Sequence, residues 1–137
     1  MYKLFFIVLF SSSILIADDI IFKNARARLP INFSTAIYFD IVNNTNEDIN
    51  IVSAKSTISN NISLRNSYVD IDGIDRRTNI NKILIPCNTQ ISFKPKSIHI
   101  VANDLKRKFA IGEKFELILK FDNGLEKSIS ITIEEFN

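Results

Sequence analysis

The sequence predicts an all-β protein, an antiparallel Greek-key β-sandwich or barrel, from three observations. Short apolar runs alternate with polar residues at a period of two, which places successive side chains on opposite faces of a strand. Turn-forming residues separate seven or more such runs, as in sandwiches and barrels. No long segment has the 3.6-residue period of an amphipathic helix. The 137-residue chain also contains no internal repeat and no linker, so a single domain is predicted.

The strands are predicted in chain order from this alternation. A first strand begins at residues 20–22 and continues to Leu29-Pro30, where proline ends the ladder because it has no N–H to donate. The only segment whose composition suits a turn of helix is 103–108. Further strands are predicted at 37–42, 49–52, 62–69, 83–86, 91–94, 98–100, 115–121 and 128–134.

The strongest local signal is Asp122-Asn123-Gly124, between two alternating apolar runs. Asparagine and glycine both tolerate the positive φ angles of a type I′ turn, so the sequence predicts a hairpin with that turn.

The N-terminal segment, residues 1–17, has the pattern of a signal peptide. Lys3 gives a basic start, an apolar stretch follows, and Ala17 offers a small residue for cleavage before Asp18. The mature domain is then predicted at 18–137. The alternative is an uncleaved anchor in the inner membrane, although the apolar run is shorter than the ~20 residues that span a bilayer.

Composition narrows the functions that the chain can have. The net charge is +2, which gives no global basic field for nucleic acid. The chain has one cysteine, Cys87, so an exported form cannot make an internal disulfide. It also has one histidine, His99, the one side chain whose unperturbed pKa lies near neutral pH. Because Ile98 and Ile100 would face the core, His99 is predicted to face away from it.

No enzyme is predicted. Asp70, Asp72 and Asp75 are clustered, but acid–base chemistry needs carboxylates in two distinct environments, and a solvated turn explains them equally. The chain has no Ser/His/Asp spacing, no glycine-rich phosphate loop and no CxxC motif.

Several segments follow one another in a diagnostic order: NARAR at 24–28, AIYFDIVNN at 36–44, EDINIVSAKS at 47–56, IP at 85–86, IHI at 98–100, LK at 105–106, IGE at 111–113 and FELILKF at 115–121. Their order and spacing resemble the periplasmic copper chaperones of the PCu(A)C, or PCuAC, family across the mature chain. The resemblance implies a cupredoxin-like fold, a periplasmic location and a family role in copper delivery to cytochrome oxidase.

The copper motif of that family is His-Met, ten residues, Met, twenty-one residues, His-x-Met. The same spacing falls here on Arg65-Asn66, Arg77 and His99-x-Val101, so only His99 keeps a ligand type. Cu(I) is soft and prefers thioether and imidazole ligands. The only methionine, Met1, lies in the predicted signal.

Two hypotheses follow for the site. In the first, the protein is a copper chaperone in which His99 binds the metal together with Cys87, a carboxylate or ligands of a partner such as a cytochrome oxidase assembly component. In the second, it binds no metal, and Arg65, Arg77 and His99 form a basic patch for an acidic periplasmic or membrane protein.

Overall fold

The computed structural model describes residues 19–135, which form ten strands and no helix. The strands are β1 Ile20–Arg28, β2 Thr35–Asn43, β3 Ile49–Lys55, β4 Asn61–Val69, β5 Asp75–Ile80, β6 Ile83–Ile85, β7 Thr89–Ser92, β8 Ile98–Asn103, β9 Lys114–Phe121 and β10 Glu126–Glu134. The predicted all-β class is confirmed.

The strands form one continuous hydrogen-bonded path in the order β5-β4-β8-β2-β1-β10-β9-β3-β6, and β7 pairs with β2 beside β8. The path stays open because β5 and β6 end it. One pairing departs from the antiparallel prediction: β1 and β10 run parallel, from Arg26 opposite Thr132 to Arg28 opposite Glu134. Every other strand pairing within residues 19–135 is antiparallel.

A single apolar core lies between the two halves of this path. Phe39 of β2 contributes from one half and Phe121 of β9 from the other, and both are almost fully buried. The ring of Phe39 packs on Phe93 with centroids 4.3 Å apart and meets Phe22 edge-on at 5.6 Å. The period-two alternation therefore places one face of most strands inward, as the sequence predicts.

Strand β5 is absent from the sequence prediction. Its sequence, DRRTNI, is exposed except at its last residue, Ile80, so it carries no alternating apolar signal. It forms because β4 offers a free edge, along which Asp75 to Ile80 pair with Val69 to Leu64.

The predicted helical turn at 103–108 is wrong. Leu105 N–H donates to the carbonyl of Phe33, and Lys106 N–H donates to the carbonyl of Ile58, at 2.9 Å each. These amides bond to distant loops, so they cannot make the local bonds that a helix requires.

The predicted hairpin is confirmed, but its turn type is wrong. Gly124 has a φ of 86°, whereas Asn123 is not among the residues with positive φ, and a type I′ turn would need both. Gly124 N–H donates to Phe121 O, and Phe121 N–H donates to Leu125 O. This arrangement is a three-residue loop with glycine in the left-handed position.

The predicted signal peptide, residues 1–17, and its alternative as an anchor lie outside the described residues, so both stay predictions. Among residues 19–135, no helix is long and apolar enough to cross a membrane.

Replacing Phe39 by alanine should lower the free energy of unfolding by about 3–5 kcal/mol, because it empties a ring-sized space at the centre of the core. Leu84→Ala, at a side chain that is 50% exposed, should change it by about 0.5 kcal/mol or less. Urea unfolding of both variants measures this, and equal losses would contradict the core assignment.

Candidate functional site

The candidate site lies on the outer face of the sheet, where β2, β8, β4 and β5 lie side by side. Arg65 of β4 pairs directly with His99 of β8. Two residues further along β4, Ser67 pairs with Arg77 of β5. Because alternate residues of a strand share a face, Arg65, Ser67, Arg77 and His99 project to the same side.

His99 faces away from the core, as predicted, but it is covered. Its side chain lies beside the ring of Tyr38, with centroids 5.9 Å apart, and the residues are 6% and 3% exposed, respectively. Arg26 lies over the ring of the same tyrosine, 5.7 Å from its centroid. Long arginine stems can cover apolar rings while their charged ends stay in water.

The tautomer of His99 follows from its hydrogen bond. Nδ1 lies 2.9 Å from the carbonyl oxygen of Ser97, and since a carbonyl only accepts, Nδ1–H is the donor. In the neutral ring this leaves Nε2 as the acceptor nitrogen.

Burial lowers the pKa of His99 below its ordinary value. The hydrogen bond to Ser97 opposes this shift, whereas the charges of Arg65, Arg77 and Arg28 reinforce it. His99 is therefore neutral at pH 7. Burial also raises the pKa of Tyr38, against the opposing charges of Arg28, Arg77 and Arg26. Both rings therefore stay uncharged at pH 7, with arginine charges around them.

The structure brings together four of the five residues that the motif spacing selects. Arg65, Arg77, His99 and Val101 line one shallow cavity of about 230 Å³. Asn66 pairs with Ile98 on β8 and points to the opposite side of the strand from Arg65. The motif spacing thus selects residues that meet in space, and two of the four that line this cavity are arginines.

These residues do not fit a Cu(I) site. Cu(I) needs soft neutral or anionic donors, and the four positions supply one imidazole, two guanidinium groups and an aliphatic side chain. Cys87 lies in the turn between β6 and β7, where its N–H donates to Asp48. Across residues 19–135, no three His, Cys, Asp or Glu side chains come together to hold a metal ion.

The aspartate cluster is a structured turn. Asp70 accepts from the N–H groups of Asp72 and Ile74 and from Nε of Arg76, at 2.8–3.0 Å. The hydrogen bond from Arg76, followed by that from Ile74, holds the pKa of this carboxyl below its usual value. Its oxygens are already engaged in local structure.

Sequence reasoning missed three members of the site. Arg28, Tyr38 and Ser67 line a second cavity beside His99 and Arg77. Arg28 and Tyr38 stand in segments that resemble the family, but nothing in their spacing predicts contact with β4 or β5. Ser67 is placed by the pairing with β5, a strand whose sequence has no strand signal.

Comparisons with known proteins agree with this architecture. The family model described as "Putative lipoprotein LpqE-like" matches residues 20–133. The apo PCuAC domain from PmoF1 superposes with a TM-score of 0.74 at 18% identity, covering 86% of this chain and 95% of that domain. The copper-bound PCuAC domain from PmoF2 gives 0.70 at 18% identity, over 86% and 94%. At these identities the likeness shows the fold.

A curated relative, the uncharacterized protein RP573 of Rickettsia prowazekii (strain Madrid E), is 26% identical over 105 residues. The match covers 76% of this chain and 58% of that protein.

The fold is that of PCuAC domains, and together with the family match it confirms the resemblance seen in the sequence. The chain belongs to the LpqE-like family.

Stability should fall as the pH drops through the lowered pKa of His99. The pKa of His99 in the folded state lies below its value in the unfolded chain, about 6.5, so the unfolded chain binds the proton first as the pH falls. The free energy of unfolding should therefore be highest above about pH 6.5 and decrease towards the pKa of the folded state. Urea unfolding between about pH 7.5 and pH 5 should give a flatter profile for His99→Phe than for the wild type. Parallel profiles would show that His99 does not titrate differently on folding.

Proposed function

We propose that the protein is an exported, non-enzymatic binding module whose motif face binds an acidic segment of a protein partner rather than Cu(I). The observation that carries this is the convergence of Arg28, Arg65 and Arg77 on the buried His99.

The same chain shows what its arginines do when a carboxylate is nearby. Arg76 binds Asp70 at 2.8 Å, and Arg107 binds Glu113 at 2.6 Å. Within residues 19–135, Arg28, Arg65 and Arg77 form no ion pair with a carboxylate. Guanidinium groups make bidentate contacts to carboxylates, so an acidic partner would supply what these three lack.

The same charges oppose a metal cation. One unit charge about 6 Å from another costs on the order of 3 kcal/mol at an effective dielectric of about 20, and three arginines surround this place. Unless these side chains moved away, their charges would repel a cation bound near His99.

Copper delivery is the second candidate, favoured by the fold shared with the copper-bound domain from PmoF2. In this hypothesis Nε2 of His99 supplies one ligand and a partner, such as a cytochrome oxidase assembly component, supplies the others. It requires Nε2 to become accessible in a residue that is 6% exposed.

A periplasmic location is part of the proposal. The lipoprotein description of the family supports export.

An acidic peptide should bind the purified protein, and Arg65→Glu/Arg77→Glu should weaken that binding at least about tenfold, because each reversal turns an attraction into a repulsion. Fluorescence anisotropy with a labelled oligoglutamate, at increasing salt, measures this, and the affinity should fall as salt screens the charges. Arg76→Glu/Arg107→Glu is the matched control, with the same change in net charge away from the face. Equal weakening by both variants would refute a specific face.

The protein should not compete effectively with a chelator for Cu(I). Titration against a chromogenic Cu(I) chelator should give no saturable one-to-one complex tighter than about micromolar, because one imidazole is too few ligands. Tight binding that is lost in His99→Ala would instead establish the copper chaperone.

A further inference from the structure

A second cavity lies beside His99, between the arginines and the loop that precedes β8. It has a volume of about 190 Å³ and is more enclosed than a surface groove. Its cationic lining residues are Arg28, Arg77 and Lys96. Its apolar lining includes Val69, at the end of β4, and Pro95.

Ser67 adds an independent signal at the same place. It lines this cavity, and its Oγ is the one buried side-chain nitrogen or oxygen atom in the described part of the chain that has no hydrogen-bond partner. A buried polar group left unpaired destabilises the fold, so an unsatisfied hydroxyl at the wall of a cavity is a candidate contact for a ligand atom. The hydroxyl hydrogen can rotate towards an acceptor.

We propose that this cavity binds a single carboxylate carried on a short apolar group, with the carboxylate oxygens towards Arg28, Arg77 and Ser67 and the apolar group against Val69 and Pro95. This assignment deepens the proposed function and rests on it, since it names the group that the arginine face holds. The carboxylate belongs either to the C-terminal residue of a peptide or to a small free acid.

The donor set specifies an anion with more than one acceptor oxygen. Arg28 and Arg77 each present guanidinium N–H groups, and Ser67 presents one O–H, so the lining offers several donors. A volume of about 190 Å³ equals that of roughly six waters at about 30 Å³ each, which suits one carboxylate with a small side chain and not an extended acidic segment.

Two groups at the cavity act against a bound anion. Asp75 also lines it, on the same side of β5 as Arg77. In the neutral His99 ring, Nε2 is an acceptor and cannot donate a hydrogen bond to a carboxylate. An anion there therefore favours the protonated ring, and its arrival should be visible in the resonances of the only histidine.

The test uses the purified protein and short neutral peptides that end in leucine, either as the free acid or as the amide, together with isovalerate as the free acid of similar shape. His99 ring signals in NMR, recorded at constant ionic strength with chloride as the balancing ion, report binding. The free-acid peptide should bind at least about tenfold more tightly than the amide, because the charge-assisted contacts need the carboxylate. It should also raise the pKa of His99.

Matched variants locate the contact. Arg77→Gln and Ser67→Ala should each reduce the preference for the free acid about tenfold or more, whereas Arg76→Gln, on the neighbouring residue that binds Asp70, should keep it. Asp75→Asn should strengthen binding, a gain that a merely structural role would not produce.

Each outcome decides the proposal. Isovalerate binding with the same shift of His99 supports a small free acid as the ligand, and binding of the peptide acid alone supports a peptide C-terminus. Equal binding of acid and amide, or an unchanged preference in Arg77→Gln, would overturn the carboxylate pocket. If an oligoglutamate with an amidated end still binds through Arg65, the proposed function survives that result.

Discussion

The pairing of β4 with both β8 and β5 is the constraint on which the candidate site depends. It sets Arg65 against His99 and Ser67 against Arg77, so that residues far apart in the sequence share one face. Strand register has a period of two, and a slip by one residue would turn these side chains to the other face. The basic face therefore rests on the backbone hydrogen bonds of β4 and β5, whose one buried hydrophobic residue is Leu64.

Burial and charge act together at this face. Tyr38 and His99 lie on the outer side of the sheet, yet they are nearly as buried as core residues, and Arg26 lies over the Tyr38 ring. Burial and the charges of nearby arginines both oppose protonation of His99. In PCuAC-type geometry the same positions would need soft donors. Under the proposed function, arginine at those positions keeps the scaffold and makes an anion the preferred ligand in place of a cation.

The arginines of this chain divide into two groups by their surroundings. Arg76 and Arg107 are neutralised locally by Asp70 and Glu113, which ties down loops. Arg28, Arg65 and Arg77 form no ion pair with a carboxylate of the described residues, and their charges add to burial in lowering the pKa of His99. Arginines without a carboxylate partner beside an unsatisfied hydroxyl are typical of a ligand-binding site and not of a surface that serves only the fold.

The sequence by itself determined the all-β class, most strand positions, the hairpin at Gly124 and the outward direction of His99, because a period of two is written locally in alternating apolar residues. It also determined which positions replace the family's ligands. Only the tertiary structure decided that β5 exists, that β1 and β10 run parallel, and that Arg28, Tyr38 and Ser67 complete the site. These features depend on which strand edges meet, a long-range choice of hydrogen-bond partners that leaves no periodic trace along the chain.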